Sequence, residues 1–412
     1  MRVAFVLQDL QLSGGVGVVV EHAAQLRRHH GLDAHLVLAR PQEHPDWAYR
    51  GLAEVPVLDL DAALQITWDV AVATWWETTS TLFELRAHRY AYFIQLLEDS
   101  TYPPGAAEQL AAAMTTALPV RFITEARWLA ELIEDYQPGN DVLYVRNGIA
   151  KDVFRSPAAV PPAAEAEPLR VVVEGARGDV HKGVDDALQA VAAMGRPAHV
   201  TWVSPHGAAP PEGVDRLLTG LTHAEMADVF ADSHVLLKLS RAEGMYGPPL
   251  EAFHMGATVV TTPVTGHDEY VAHGINGMLV GWDDPRGTAR TLDLLARDRR
   301  LLHELRVGAL RTARAWPDWR QSSQWMAMAL RRVAAEPPPP IAAAGRRLVS
   351  DFSSMTADGQ ELRWRLRSER ESKEQLAEQK AVRYALAARG WMYRARTARG
   401  RAKAVVRRML RR

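Results

Sequence analysis

Short apolar runs alternate with longer amphipathic stretches through most of the chain. Residues 2–7 (RVAFVL) are almost unbroken in apolar character, the pattern of a strand covered on both faces. Ser13, Gly14, Gly15 and Gly17 predict a flexible turn after it, residues 18–30 a helix closed by Gly31, and residues 35–38 the next strand. Similar runs at 69–74, 90–96 and 120–124 predict three more strands. A second series follows Pro161 and Pro162: strand 169–174, loop 175–183, helix 184–194, then strands at 200–203, 235–239, 258–262 and 278–280. Alternation of this kind predicts βαβ units and parallel sheets. It runs twice without any repeated text, so the expectation is two Rossmann-like α/β domains, residues 1–150 and 151–334. The pattern stops near Ala334. Pro337 to Pro340 cannot continue a helix and favour an extended spacer, so residues 335–344 are read as a linker and 345–412 as a basic helical tail.

Composition narrows the function classes. A chain of 412 residues exceeds one ordinary core, in keeping with two domains. Apolar residues make up 47% and charged residues 24%, the balance of a globular protein. The formal net charge of zero carries no nucleic-acid signature. Without cysteine, thiolate metal sites, disulfides and cysteine nucleophiles are excluded. The N-terminal run is broken by Gln8 and Asp9, too early for a signal peptide. No stretch approaches the roughly 20 apolar residues of a membrane span. The expected location is cytoplasmic.

The richest segment is Glu243-Gly-Met-Tyr-Gly-Pro-Pro-Leu-Glu251. Two carboxylates flank a glycine-containing turn at the carboxyl end of a predicted strand, the edge where doubly wound sheets bind ligands. Backbone N–H groups at the following helix start suit phosphate, and the carboxylates suit sugar and ribose hydroxyls. Taken alone, Glu251 is equally explained as an acid favouring its helix N-terminus by about 0.3–1 kcal/mol. A second cluster, Gly175-Ala-Arg-Gly-Asp-Val-His-Lys-Gly183, offers Arg177 and Lys182 on a strand-end glycine loop. Fixed cations there would hold charge developing on a leaving diphosphate; the plainer alternative is a solvated basic loop.

Glu243 to Glu251 resembles the E-x7-E signature of retaining glycosyltransferase family 4. Three further landmarks resemble the same family in order: Gly14–Gly15 after the first strand; Val145-Arg-Asn-Gly-Ile149 with Phe154; and Gly256-Ala-Thr-Val-Val-Thr-Thr-Pro263 with Gly266, Glu269 and Gly274-Ile-Asn-Gly-Met-Leu-Val280. The resemblance covers about residues 1–334. It implies a GT-B fold, two Rossmann-like parallel-sheet domains facing across a cleft, with a last helix near 316–334 packing back on the first. It implies transfer of a hexosyl or deoxyhexosyl group from a nucleotide-diphosphate donor to a glycan or lipid-linked acceptor, with retained anomeric configuration. The expected setting is bacterial surface polysaccharide or glycoconjugate synthesis, with no cofactor and no metal. By position, Glu243 would hold donor-sugar hydroxyls, Arg177 and Lys182 the diphosphate, and Glu251 the ribose. Gly15, Gly175 and the backbone of Gly244, Met245, Tyr246 and Gly247 would face the donor, and Gln95, Glu98 and Asp268 would be acceptor or sugar contacts.

The chain departs from the family in places. The second glycine of the turn arrives one residue late, at Gly247, and Ala176 displaces the loop arginine. Gln95 stands where many members have histidine, and glutamine positions hydroxyls but is no general base. The stretch from Thr74-Trp-Trp-Glu77 to Tyr102-Pro-Pro104 resembles a bacterial rhamnosyltransferase-like branch. These departures keep open a second expectation, an inactive sugar-binding or scaffold subunit of a polysaccharide assembly complex. Asp59-Leu-Asp61 spells D-x-D but lies in a turn-rich region without the matching fold pattern, and His22, His254 and His273 lack metal-ligand spacing. Residues 391–412 are basic with no acid and carry interspersed apolar positions. They suit an anionic membrane surface, a partner helix or solvent alike.

Overall fold

The computed structural model describes residues 1–42, 49–137, 140–205 and 210–336. Two parallel sheets are built in chain order. The first holds β1 (Arg2–Leu7), β2 (Asp33–Leu38), β3 (Val57–Asp59), β4 (Thr67–Ala73), β5 (Arg86–Ile94), β6 (Arg121–Thr124) and β7 (Leu143–Tyr144), in spatial order 3-2-1-4-5-6-7. The second holds β8 (Leu169–Glu174), β9 (Ala198–Ser204), β10 (Arg216–Thr219), β11 (Val235–Lys238), β12 (Thr258–Thr261) and β13 (Gly277–Leu279), in order 10-9-8-11-12-13. Every pairing is parallel, as strand–helix alternation requires. Chain order reverses beside β1 and beside β8, which puts a ligand crevice at the carboxyl end of each.

Helices cover both faces of each sheet. In the second half Val171, Val173, Val235 and Leu237 join one apolar layer, and Val172, Leu236 and Val259 the other. Successive residues of a strand face opposite ways, so both layers draw on the same strands. This explains why these strands read as continuous apolar runs rather than alternating ones.

Two boundaries differ from the sequence reading in ways that affect the site. The first helix is Gly14–His30, not 18–30, so Gly14, Gly15 and Gly17 form its opening turns and not a flexible loop. Helix bonds begin at once, Gly17 N–H donating to Ser13 O at 3.1 Å. The second is Gly247–His254, which starts three residues before the helix-compatible run 250–255 that the sequence offers, with prolines in its first turn, where a missing N–H costs no helix bond.

The chain crosses between the halves at residues 145–154 and returns at 316–322, and the two passages run together. Ile149 N–H donates to Pro317 O at 3.1 Å, Trp316 Nε1 to Asn147 O at 2.9 Å, and Ser322 Oγ to Arg146 O at 2.7 Å. A Cβ on Gly148 would lie 2.4 Å from the Asp318 carbonyl carbon, so only glycine fits. After the return, the Trp319–Ala335 helix buries Met326, Ala327, Leu330 and Val333 in the core of the first half. Among the described residues no helix is long and apolar enough to cross a membrane. The proline run 337–340, the expected helical tail 345–412 and within it the basic segment 391–412 lie outside the described residues.

Candidate functional site

The carboxyl edge of the second sheet gathers charge. Gly175 follows β8 at φ +130° and Gly183 closes the loop at φ +61°, backbone conformations that side chains rarely adopt. A Cβ on Gly183 would sit 1.9 Å from the Leu239 carbonyl oxygen, so the loop can lie flat against the end of β11. Arg241 N–H donates to His181 O at 2.7 Å and fastens it there. This docking carries Lys182 to Glu243: its Nζ lies 3.1 Å and 3.3 Å from the two carboxylate oxygens.

Arg177 goes elsewhere. Its Nε donates to Asp185 at 2.7 Å, and both side chains are largely exposed. The pair expected from the sequence is therefore split: the structure brings Lys182 to the acidic-flanked turn and leaves Arg177 on the outer rim. Asp185, in the first turn of the Val184–Ala192 helix, is the cause. An exposed ion pair of this kind contributes only about 0–1 kcal/mol.

Glu251 and Glu243 lie around one charged group that also holds Glu174 and Lys238, two residues the sequence reading passed over. Lys238 is buried at the end of β11 and donates to Glu174 at the end of β8. Burial drives the Glu251 carboxyl up to about 8, and the charge of Glu174 adds to the effect while Lys238 opposes it. For Glu174 burial also acts upward, but Lys238 and Lys182 outweigh it and the net shift is downward. Two neighbouring acids are thus set apart, one protonated at neutral pH and one charged.

The turn between Glu243 and Glu251 is where the two halves touch. A Cβ on Gly244 would lie 1.6 Å from Gln95 O, and one on Gly266 would lie 2.0 Å from Gly244 O. Trp128 Nε1 donates to Gly244 O at 3.1 Å. Met245 N–H points to Glu125 Oε1 at 3.4 Å, across from the end of β6. This corrects the expectation that the Met245 amide faces the donor: it is turned toward the first half. The Tyr246 side chain supports the turn from behind. Its ring is fully buried, its hydroxyl donates to Lys238 O and pairs with Thr261, and its carbonyl accepts from Tyr270, so it braces the turn from the core. Gly247 opens its helix with open space where a Cβ would lie.

On the first half, Gly15 and Gln95 are adjacent, an added Cβ on Gly15 lying 3.4 Å from the Gln95 amide oxygen. Glu98 is corrected: it is buried behind the site, where it accepts from the Trp76 N–H and from the Tyr92 hydroxyl at 2.8 Å. Burial raises its carboxyl to about 8. It pins the β4 and β5 ends together from a buried position. Asp268 is exposed on the 267–269 turn, while its neighbour Glu269 reaches the first half, accepting from Arg127 N–H and from the Tyr144 hydroxyl at 2.7 Å. Glu125 was also missed. It is buried, accepts from Asn147 Nδ2 at 2.6 Å, and is raised to about 8 by burial, with Glu243 nearby adding to the rise. Its signal was available: a carboxylate directly after a strand, at the sheet edge that binds ligands. Lys238 had a signal as well, a lone charge inside an apolar strand.

Residues 169–298 match the family Glycosyl transferases group 1. No curated protein sequence matches the chain. Among solved structures, Anabaena Alr3699/HepE in complex with UDP and glucose superposes with a TM-score of 0.64 at 17% identity, over 81% of this chain and 100% of that one. Sucrose-phosphate synthase from Thermosynechococcus elongatus gives 0.66 at 14% identity, over 81% and 99%. A TarM variant from S. aureus in complex with Fondaparinux, alpha-GlcNAc-glycerol and UDP gives 0.63 at 8%, over 81% and 100%. Residues 169–298 of the second half are thus similar to that family, and the two halves together have the GT-B fold.

Proposed function

We propose that the chain is a retaining glycosyltransferase of the family 4 type, moving a hexosyl or deoxyhexosyl group from a nucleotide-diphosphate donor to an acceptor hydroxyl. The observation that carries this reading is the juxtaposition of Lys182, Glu243 and the Glu251 group on the carboxyl edge of the second sheet. A diphosphate beside Lys182 would find a fixed cation where charge develops as the sugar departs. Lys182 would then do the work that a metal does elsewhere, and no cofactor is needed. Glu243 would hold donor-sugar hydroxyls and Glu251 the ribose. The UDP held in the similar HepE and TarM structures supports a nucleotide donor.

The first half would present the acceptor from the Gln95 side, at the contact with Gly244. With glutamine there and no base within the described contacts of Glu243, the leaving phosphate oxygen itself would take the acceptor proton, and departure and attack on one face would retain configuration. The acceptor would be a glycan or lipid-linked glycan of bacterial surface polysaccharide or glycoconjugate synthesis, met at the cytoplasmic face of a membrane. Release of nucleoside diphosphate from UDP-, GDP-, ADP- and dTDP-sugars tests the reading. Release from one donor, lost in Glu243→Ala, is expected; unchanged release in that variant would remove the assignment. The engagement of Met245 by Glu125 favours one rival, a sugar-binding scaffold subunit, which donor binding without turnover would establish.

A further inference from the structure

The apolar layer beneath the Gly247–His254 helix turns polar at the last residue of each of the three central strands. Val172, Leu236 and Val259 are side by side in register on β8, β11 and β12, all buried in one cluster. Two residues on, the same face presents Glu174, Lys238 and Thr261, with Lys238 and Thr261 again in register. A leucine would pack at position 238 as Leu236 does. Instead the lysine side chain is 2% exposed, and burying an ion pair costs desolvation that an apolar residue would avoid. The Tyr246 hydroxyl closes over the row through Lys238 O and Thr261 Oγ1, both at 3.0 Å.

The pair is asymmetric. Lys238 is sealed in, whereas the Glu174 side chain keeps 29% of its surface open and lies at the base of the Gly175 loop. Lys238 engages Glu174 Oε2, and among the described residues no hydrogen bond engages Oε1. The charge of Lys238 also reaches Glu243 and Glu251, and that of Lys182 reaches Glu174. Glu174 thus stands close enough to Glu251 to influence its charge, with Oε2 held by Lys238 and Oε1 free of any described hydrogen bond.

We infer that Glu174 is a third donor-contacting carboxylate, accepting hydrogen bonds from vicinal hydroxyls of the nucleotide sugar together with Glu251, and that buried Lys238 is the positioning residue that aims it. The inference rests on the sugar-transfer reading. A charged acceptor makes stronger hydrogen bonds to hydroxyls than a neutral one. Beside two other acids, Glu174 would lose both charge and direction without the ammonium behind it.

The test compares the wild-type chain with Glu174→Gln, Lys238→Met and the double variant, measuring donor KM, kcat and melting temperature. Glu174→Gln should raise donor KM about tenfold or more with a smaller change in kcat. Lys238→Met should do the same and lower the melting temperature, because it strands a carboxylate. The double variant leaves no orphan charge, so its melting temperature should recover while donor KM stays high. Recovery of donor KM along with stability would make the pair a structural element only and overturn the inference, as would an unchanged KM in Glu174→Gln. Affinity for free nucleoside diphosphate locates the hydroxyls: loss there as well places them on the ribose, and loss with the sugar nucleotide alone places them on the sugar. If wild type binds none of the four donor types, the sugar-transfer reading falls and this inference with it; if wild type binds and the variants match it, only this inference falls.

Discussion

Burial sets the chemistry of single carboxyls in this protein more than sequence neighbours do. Glu98, enclosed by Trp76 and Tyr92, keeps its proton up to about pH 8 when folded, against 4.5 for an ordinary glutamate. The folded chain therefore binds a proton that the unfolded chain has released, and stability falls as pH rises from about 4.5 to about 8. Glu125 adds a slope of the same sign. Glu98→Gln should make that part of the melting-temperature curve shallower, measured by thermal melts across the window; an unchanged slope would mean that Glu98 is ionised throughout. Residues also differ where the sequence offers equals. Arg177 and Lys182 share one loop, but only Lys182 meets Glu243. Lys182→Met should lower turnover on the order of a hundredfold and Arg177→Met far less. Equal losses would show that Arg177 leaves Asp185 when donor binds. Nothing in the linear pattern separates these two cations, since Asp185 captures Arg177 only through the geometry of the loop.

At the scale of elements, the inner strands were legible because a parallel strand covered on both faces is an apolar run and little else reads that way, whereas the short edge strands β3, β7 and β10 carry no such run and were not read. Helix starts were less so. Glycine and proline read as breakers, yet Gly14–Gly17 and Pro248–Pro249 sit in opening turns, where orphan N–H groups make them tolerable. The E-x7-E turn is legible in its residues, but the meeting of the Met245 amide with Glu125 is not, because a sequence does not show that the opposite half reaches the same turn. Glycine spacing misled in the same way. Gly244, not the late Gly247, is the sterically constrained position. Gly244→Ala should cut turnover at least tenfold, since its methyl would meet Gln95 O, while Gly247→Ala should stay within about twofold; both are read from initial rates. Full activity in Gly244→Ala would show that the halves separate during catalysis further than they stand here.

Across the whole molecule, the two halves are bound by more than a linker. Residues 316–322 run beside 145–150, and the Trp319–Ala335 helix from the far end of the second half completes the core of the first. Leu330 is fully buried there, so Leu330→Ala should cost about 2–5 kcal/mol in denaturant unfolding; a cost near zero would mean that the helix does not hold the first half together. With this helix fixed, any opening of the halves would pivot about the paired passages and would break the contacts of Glu269 with Arg127 and Tyr144. Closure would exclude water from the reacting sugar. The central claim is a diphosphate lodged between the Lys182 loop and the turn running from Glu243 to Glu251. A crystal structure with a bound nucleotide sugar tests it most directly. The account predicts phosphate oxygens within hydrogen-bond distance of Lys182 Nζ and ribose or sugar hydroxyls at Glu243, Glu251 and Glu174; a nucleotide seated away from these four side chains would contradict it.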